Sequence, residues 1–135
     1  MGTTSLEALK QALPIAWSAD TSATAIWEAT NPAKGQCAVT ACVVQDYLGG
    51  DILHTTATLP TGDLVSHYFN VVDGDVVDFT RRQFPTGTSF SEPALKTNGL
   101  PTTRDYCLSY DSTRQRYDLL RGRVDDYLQD QNVGS

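Results

Sequence analysis

The 135-residue sequence lacks long apolar runs, a regular cysteine pattern and the short motifs that bind common cofactors. No apolar stretch approaches the ~20 residues that a membrane-spanning helix needs. The three cysteines, at positions 37, 42 and 107, are odd in number and contain no CxxC pair, which argues against a disulfide framework and a structural zinc site. A glycine-rich phosphate loop and an HExxH motif are also missing, so the sequence predicts no cofactor.

Basic residues are scarce as well. The net charge is −6, and the arginines of residues 114–123 are interspersed with aspartates, as on a solvated, salt-bridged helix face. The N-terminal segment carries an early glutamate and no basic stretch before an apolar core, unlike a secretory signal. We therefore expect a cytoplasmic protein that binds neither nucleic acid nor membrane. The pattern leaves the oligomeric state and the substrate, a small molecule or a peptide, open.

Length and composition favour a single α+β domain over residues 1–135. Thr4 and Glu7 form a capping-box pattern, which predicts a first helix over residues 5–12. Pro14 is expected to stop that helix, because the residue before a proline disfavours the helical conformation.

Two further helices are predicted before the first strand. A short one over residues 22–29 would bury Trp27. From Cys37 to Leu48 the sequence is apolar almost all round, which predicts a central buried helix. Gly49-Gly50 should end that helix, since glycine readily adopts the left-handed C-cap conformation.

An antiparallel meander is expected to follow, with strands over residues 51–59, 64–72 and 75–80. The Asp73-Gly74 pair predicts a two-residue hairpin turn between the second and third strands. Residues 81–101 should form a long loop anchored by aromatic side chains, and a short helix or strand is expected near residues 106–110. A final helix should begin at residues 111–113 and end near residue 129, and its inward residues are Tyr117, Leu120, Val124, Tyr127 and Leu128.

The hairpin turn brings two polar side chains together. A two-residue turn sets Phe69 opposite Asp78, so His67 lies diagonal to Asp78 on the same face of the sheet. Diagonal neighbours have Cβ atoms about 7–8 Å apart, which lets an imidazole and a carboxylate meet at their tips.

Cys37, His67 and Asp78 together make a candidate catalytic triad. A helix N-terminus stabilises a thiolate, and an imidazolium beside it adds to that effect. The aspartate would fix the histidine tautomer and support its positive charge. Backbone amides at residues 36–37, or the side chain of Gln36, would polarise an acyl oxygen.

Each of these residues also has a structural interpretation. Cys37 would be a core residue, as we expect for Cys42. His67 would be a strand histidine bonded to a backbone carbonyl, and Asp78 would cap a turn or pair with Arg81 or Arg82.

A zinc site is a further alternative. If the PTGD segment closes a four-residue turn, His54 lies opposite Phe69 and shares the face of His67. The ligands would then be Cys37, His54, His67 and Asp78.

The order of the three residues, a cysteine on a helix followed by a histidine and an aspartate on neighbouring strands, resembles papain-like, transglutaminase-like and NlpC/P60-type cysteine enzymes. That resemblance implies a papain-like fold, with N-terminal helices and a central buried helix packed on an antiparallel meander before a C-terminal helix. It also implies an oxyanion donor near the cysteine, which here would be Gln36 or Asn31.

The segments NPAKGQCAVTACVVQDYLGG, HYFNVVDGDVVDFTRRQF and RYDLLRGRV are similar to the YunG-like family of small bacterial proteins. The resemblance implies no established activity. It implies a set of polar signature positions, namely Gln36, Cys37, Asp46, His67, Asn70, Asp78, Arg81 and Gln83. Of these, we expect Asn70 to bond within the core and Asp46 to anchor a loop or an arginine. Arg81 and Gln83 could bind a substrate carboxylate, but we expect them to form a salt bridge to the final helix instead.

Three hypotheses follow for the function. The first is a hydrolase or acyltransferase of the peptidase, amidase or deamidase type, in which Cys37 attacks, His67 moves the proton and Asp78 orients His67. The second is a non-catalytic binding domain of the same fold. The third is the metal site described above.

Overall fold

A computed structural model describes residues 5–133, with side chains to residue 130. The chain folds into an α+β structure with a four-stranded antiparallel sheet. The helices are α1 (Leu6–Ala16), α2 (Cys37–Leu48), α3 (Thr103–Leu108) and α4 (Asp111–Val133), and the strands are β1 (Asp51–Thr58), β2 (Leu64–Val72), β3 (Asp75–Val77) and β4 (Ser89–Phe90). Short 3₁₀ turns occupy Ala19–Thr21 and Arg81–Gln83. Within residues 5–133, every helix is too short or too polar to cross a membrane.

Helix α1 extends further than predicted. The hydroxyl of Ser5 caps its start, while Thr4, expected to contribute to a capping box, lies outside the described residues. Pro14 lies inside the helix, so the prediction that it stops the helix was wrong. Because Pro14 has no N–H group, the Lys10 carbonyl lacks its helical hydrogen bond. Lys10 is exposed, so solvent can donate to that carbonyl instead. Burial on both sides of the proline offsets that cost, and the buried residues are Leu9, Ala12, Leu13 and Ala16.

The helix predicted over residues 22–29 is absent from the structure, which has an irregular loop there. Side-chain hydrogen bonds stabilise this loop, and they replace the backbone hydrogen bonds that a helix would form. The Ser22 hydroxyl donates to the Lys34 carbonyl at 2.7 Å, and the half-buried Trp27 indole donates to the Pro32 carbonyl at 3.0 Å. Serine and threonine compete with helical bonding in this way, which explains why the prediction was wrong.

Helix α2 has the bounds that the sequence predicted and forms the centre of the core. One of its sides packs on β2, and another packs on α4, which in turn contacts α1. The side chain of Asn70 on β2 donates to the Ala41 carbonyl of α2 at 2.9 Å in a buried setting, so the structural role expected for Asn70 is confirmed. The inward residues predicted for α4 also lie in this core.

The meander has the predicted β2–β3 register but a different β1–β2 register. Val72 pairs with Asp75 around the Asp73-Gly74 turn, as expected, and β3 ends at Val77 rather than at residue 80. On the other side, His54 pairs with Tyr68 and not with Phe69. The loop between β1 and β2 holds five residues, 59–63, one more than the predicted turn, and an odd loop length reverses the face on which His54 lies.

The loop over residues 81–101 contains more structure than predicted. It includes a 3₁₀ turn and strand β4, which pairs with β1. Phe84 and Phe90 do anchor it, because their rings pack edge to face with centroids 5.5 Å apart.

The glycine pair after α2 provides a test of the turn into β1. Gly49 and Gly50 both have positive φ, 75° and 81°, but a Cβ on Gly50 would clash with the Val71 carbonyl, whereas a Cβ on Gly49 would meet nothing within 4 Å. We expect Gly49→Ala to lower the free energy of unfolding by about 1–3 kcal/mol, because its φ of 75° and ψ of −154° are almost confined to glycine, and Gly50→Ala to lower it by at least ~1 kcal/mol more. Urea denaturation measures both, and equal losses would contradict the predicted clash.

Candidate functional site

The candidate site forms at a free edge of β2. Strand β3 pairs only with Asn70–Val72, which leaves the earlier part of β2 without a strand on that side. Thr56, the β1 partner of Ser66, bonds through its amide and carbonyl to Ser91 on the far side of β1. In an antiparallel ladder, Ser66 then directs its own amide and carbonyl toward the free edge. The Cys37 sulfur lies 3.8 Å from that Ser66 carbonyl oxygen.

Cys37 is the first residue of α2. Gln36 is the N-cap, but its side chain makes no capping bond, and the first intrahelical bond runs from the Thr40 amide to the Gln36 carbonyl. The amides of residues 37–39 therefore have no partner within the helix. These amides and the helix dipole favour negative charge at the sulfur or on a bound oxygen.

The three cysteines differ in their surroundings. Cys42 and Cys107 are buried in a small apolar cluster, as expected for Cys42, while Cys37 is half-buried. A hydrogen bond to Cys42 and burial raise the pKa of the Cys107 thiol well above its ordinary range. Cys37 is therefore the thiol that a reagent in solution can reach.

His67 and Asp78 are in direct contact. The Nε2 atom of His67 lies 2.7 Å from an Asp78 carboxylate oxygen, and the two side chains are only 1% and 7% exposed. Asp78 follows the last residue of β3, so the chain leaves the sheet there and the carboxylate turns back to the imidazole. Thr80 donates a hydrogen bond to the other carboxylate oxygen. The sequence prediction that His67 and Asp78 meet is confirmed, and the alternative partners, a backbone carbonyl for His67 and Arg81 or Arg82 for Asp78, do not occur in the described residues.

The protonation of His67 depends on both neighbours. Burial alone would lower the pKa of the imidazole, but hydrogen bonding to Asp78 and to the Cys37 thiol, and the charges of both, raise it to about 9. The Nδ1 atom is buried and has no well-aligned hydrogen-bond partner among the described residues. Asp78 thus holds the imidazole through Nε2, and Nδ1 lies beside Cys37, where it can exchange a proton with the thiol.

Aromatic rings enclose His67, and the sequence did not predict this enclosure. The Phe84 ring packs against the imidazole edge to face at 5.0 Å, and the Phe90 ring lies 6.0 Å away. The guanidinium of Arg81 lies over the Phe90 ring at 4.0 Å. Arg81 makes no ion pair with α4 in the described residues, so the expectation that it reaches the final helix was wrong.

A brace of hydrogen bonds connects the segment after Asp78 to the loop before Cys37. The Gln83 side-chain oxygen accepts from the Gly35 amide at 3.2 Å, and the Gln83 carbonyl accepts from the Asn31 side chain at 3.1 Å. Gln83 therefore contacts the loop before α2, and the expectation that it reaches the final helix was wrong for the described residues. This brace positions Cys37 relative to Asp78.

The predicted oxyanion donors are already engaged. Gln36 is fully buried, and its amide nitrogen donates to the Ser18 carbonyl at 3.0 Å. The amide of Asn31 donates to Gln83, as described above. The oxyanion role of Gln36 and Asn31 stays a prediction, and the backbone amides at the start of α2 are further candidates.

Two other polar predictions concern positions outside the site. Asp46 anchors arginines, as expected, through ion pairs with Arg104 at 2.9 Å and Arg121 at 2.6 Å. His54 lies on the opposite face of the sheet from His67, because it pairs with Tyr68, so the zinc hypothesis built on a shared face was wrong. Among residues 5–133, no group of three or more histidine, cysteine or acidic residues is arranged to hold a metal ion.

A cleft of about 620 Å³ opens beside Cys37. Apolar side chains form much of its wall, and they are Ala23, Leu59, Val65, Tyr68, Phe84 and Pro85. The same cleft includes Lys34 and the residues next to the sulfur, Ala38 and Ser66. A volume of this size is typical of small-molecule sites.

Comparison with known proteins gives one family. The family model described as "YunG protein" matches residues 5–129. The uncharacterized protein YunG of Bacillus subtilis (strain 168) is 32% identical over 116 residues, which cover 86% of this chain and 88% of that protein. No solved structure matches the chain.

The pKa of His67 can be tested directly. We expect the NMR titration of its ring protons to give a pKa near 9 in the wild type and a clearly lower value in Asp78→Asn, which removes the carboxylate that favours the imidazolium. Because the folded pKa exceeds the unfolded value of 6.5, the stabilisation from protonated His67 is complete below about pH 6.5 and is lost as the pH rises through 9. The free energy of unfolding should therefore decline across this window more steeply in the wild type than in Asp78→Asn. Parallel declines would contradict the assignment.

Proposed function

The chain belongs to the YunG family, and we propose that in this chain the family's fold carries a cysteine-nucleophile hydrolase or acyltransferase of the papain-like and transglutaminase-like kind. In this proposal Cys37 is the nucleophile, His67 is the general base and then the general acid, and Asp78 orients His67. The observation that carries the proposal is a buried imidazole, held by a carboxylate at one nitrogen and placed with its other nitrogen beside a thiol that faces a cleft.

The arrangement suits acyl transfer for three reasons. The contact with Asp78 leaves Nδ1 of His67 as the nitrogen available to the thiol. The raised pKa of His67, about 9, keeps the imidazole protonated near neutral pH, and a protonated imidazole supports a thiolate. Exclusion of water by the surrounding phenylalanines strengthens these charge interactions.

The proposed reaction has two halves. In the first, the proton of Cys37 already lies on Nδ1 of His67, and the thiolate sulfur attacks the acyl carbon. The amine, alcohol or thiol leaving group departs with that proton, and a thioester remains on Cys37. In the second, water or another acceptor loses a proton to the now neutral His67 and attacks the thioester, and Cys37 is released as a thiolate beside the protonated imidazole. Backbone amides at residues 37 and 38 would stabilise the oxyanion in both halves.

A papain-like fold is part of the proposal. It is supported by a cysteine at the start of a central helix that packs on an antiparallel sheet, with the histidine on β2 and the aspartate just after β3.

A non-catalytic binding domain is the second candidate. It is favoured by the complete burial of His67 beneath Phe84 and Phe90. In that case the His67–Asp78 contact would stabilise the fold, and the thiol of Cys37 would have ordinary reactivity.

Alkylation by iodoacetamide at pH 7 distinguishes the two candidates. We expect Cys37 to react at least about tenfold faster than N-acetylcysteine, because an imidazolium and a helix N-terminus stabilise negative charge on the attacking sulfur. His67→Gln should remove most of this excess, and Asp78→Asn should remove part of it. Peptide mapping assigns the label, and Cys37→Ala measures the background from Cys42 and Cys107.

Folding must be checked in this experiment, because His67 is buried. Circular dichroism identifies variants that keep the fold, and Asp78→Asn, nearly equal in size to the wild type, is the variant with the smaller structural change. A wild-type rate no greater than that of N-acetylcysteine would overturn the enzyme proposal and favour the binding domain.

A further inference from the structure

The charge of the Cys37 site is opposite to that of the whole chain. The chain carries 16 acidic and 10 basic residues, yet the cleft beside Cys37 contains Lys34 and no aspartate or glutamate. Lys34 forms no ion pair with any residue in the described part of the chain. In a strongly acidic protein, a cleft without carboxylates and with an uncompensated lysine favours a negatively charged ligand.

A second depression continues the same surface. It has a volume of about 260 Å³ and shares Ala38, Ser66 and Tyr68 with the main cleft. Its charged lining residue is Lys96, whose ammonium lies 5.5 Å from the centre of the Tyr106 ring, and it also contains no acidic residue. Each of the two adjoining depressions thus has one lysine in its lining.

The wall of the main cleft indicates a second property of the ligand, an apolar group. Leu59, Val65, Phe84 and Pro85 present apolar surface next to Cys37. A ligand that buries an apolar group there gains about 25 cal/mol for each Å² removed from water. A small polar ligand would leave this surface exposed.

We propose that the Cys37 site takes acyl compounds that carry both an apolar group and a carboxylate, such as acylated apolar amino acids. The apolar group occupies the main cleft, and the carboxylate lies near Lys34 or Lys96. This inference rests on the proposed function, since it names the substrate class of the same thiol.

Three chloroacetyl compounds test the two requirements separately. N-chloroacetyl-L-phenylalanine is apolar and anionic, its amide is apolar and neutral, and N-chloroacetylglycine is anionic without an apolar group. In each case the Cys37 sulfur displaces chloride, so one C–S bond forms and one C–Cl bond breaks. The rate at Cys37, measured by mass spectrometry with peptide mapping, is divided by the rate of the same compound with N-acetylcysteine.

We expect N-chloroacetyl-L-phenylalanine to give the highest ratio, about fivefold above its amide, because the lysines attract its carboxylate. It should exceed N-chloroacetylglycine by a similar factor, because only the phenyl ring fills the apolar cleft.

Paired charge variants identify the source of the preference. Lys34→Gln/Lys96→Gln should make the ratio for the acid equal to that for its amide. The control Lys10→Gln/Arg114→Gln removes the same charge from two exposed positions and should keep the wild-type preference.

The outcomes separate this inference from the proposed function. If Cys37 reacts with all three compounds no faster than N-acetylcysteine does, the proposed function fails and the inference fails with it. If Cys37 is fast but does not distinguish the acid from its amide, or if the preference survives in Lys34→Gln/Lys96→Gln, the substrate class is wrong and the proposed function stands. A preference for N-chloroacetylglycine would likewise overturn the substrate class alone.

Discussion

The site depends on the early end of strand β3. Because β3 pairs with only the last three residues of β2, the first part of β2 has a free edge. The start of α2 reaches that edge, where the Ser66 carbonyl faces Cys37. The same strand end releases Asp78 from the sheet, so its carboxylate turns to His67. A longer β3 would cover the edge and hold Asp78 within the ladder, and both contacts would be lost.

Charge is distributed unevenly over the molecule. Asp46 joins three helices, since it lies on α2 and pairs with Arg104 of α3 and Arg121 of α4. Each such partly exposed ion pair contributes modestly to the stability of the fold, but two of them on one carboxylate hold the three helices in a fixed arrangement. Asp46 is thus engaged away from the cleft, whose lining in the described part of the chain contains one lysine and uncharged side chains.

Local sequence signals predicted the parts of the fold that local physics controls. The apolar run with its glycine pair defined α2, and Asp73-Gly74 defined the β2–β3 register and hence the meeting of His67 with Asp78. The face of His54 depended on the length of one loop, and a single extra residue reversed it. The extent of α1 was underestimated because packing on both sides of Pro14 outweighs the lost hydrogen bond.

The surroundings of the site were beyond local prediction. Phe84 and Phe90 are far from His67 in the sequence, and their contact with the imidazole requires β4 to pair with β1. The engagement of Gln36 by the Ser18 carbonyl likewise depends on how α1 and the following loop pack beside α2. No pattern in neighbouring residues encodes either contact.

The brace formed by Gln83 has a consequence for how the family can vary. Gln83 lies five positions after Asp78, and one end of this span holds the imidazole while the other holds the loop that leads into α2. The span acts as a spacer of fixed length between the acid and the sulfur. Relatives that keep this chemistry should therefore tolerate insertions in the β1–β2 loop or after β4, but not between these two positions.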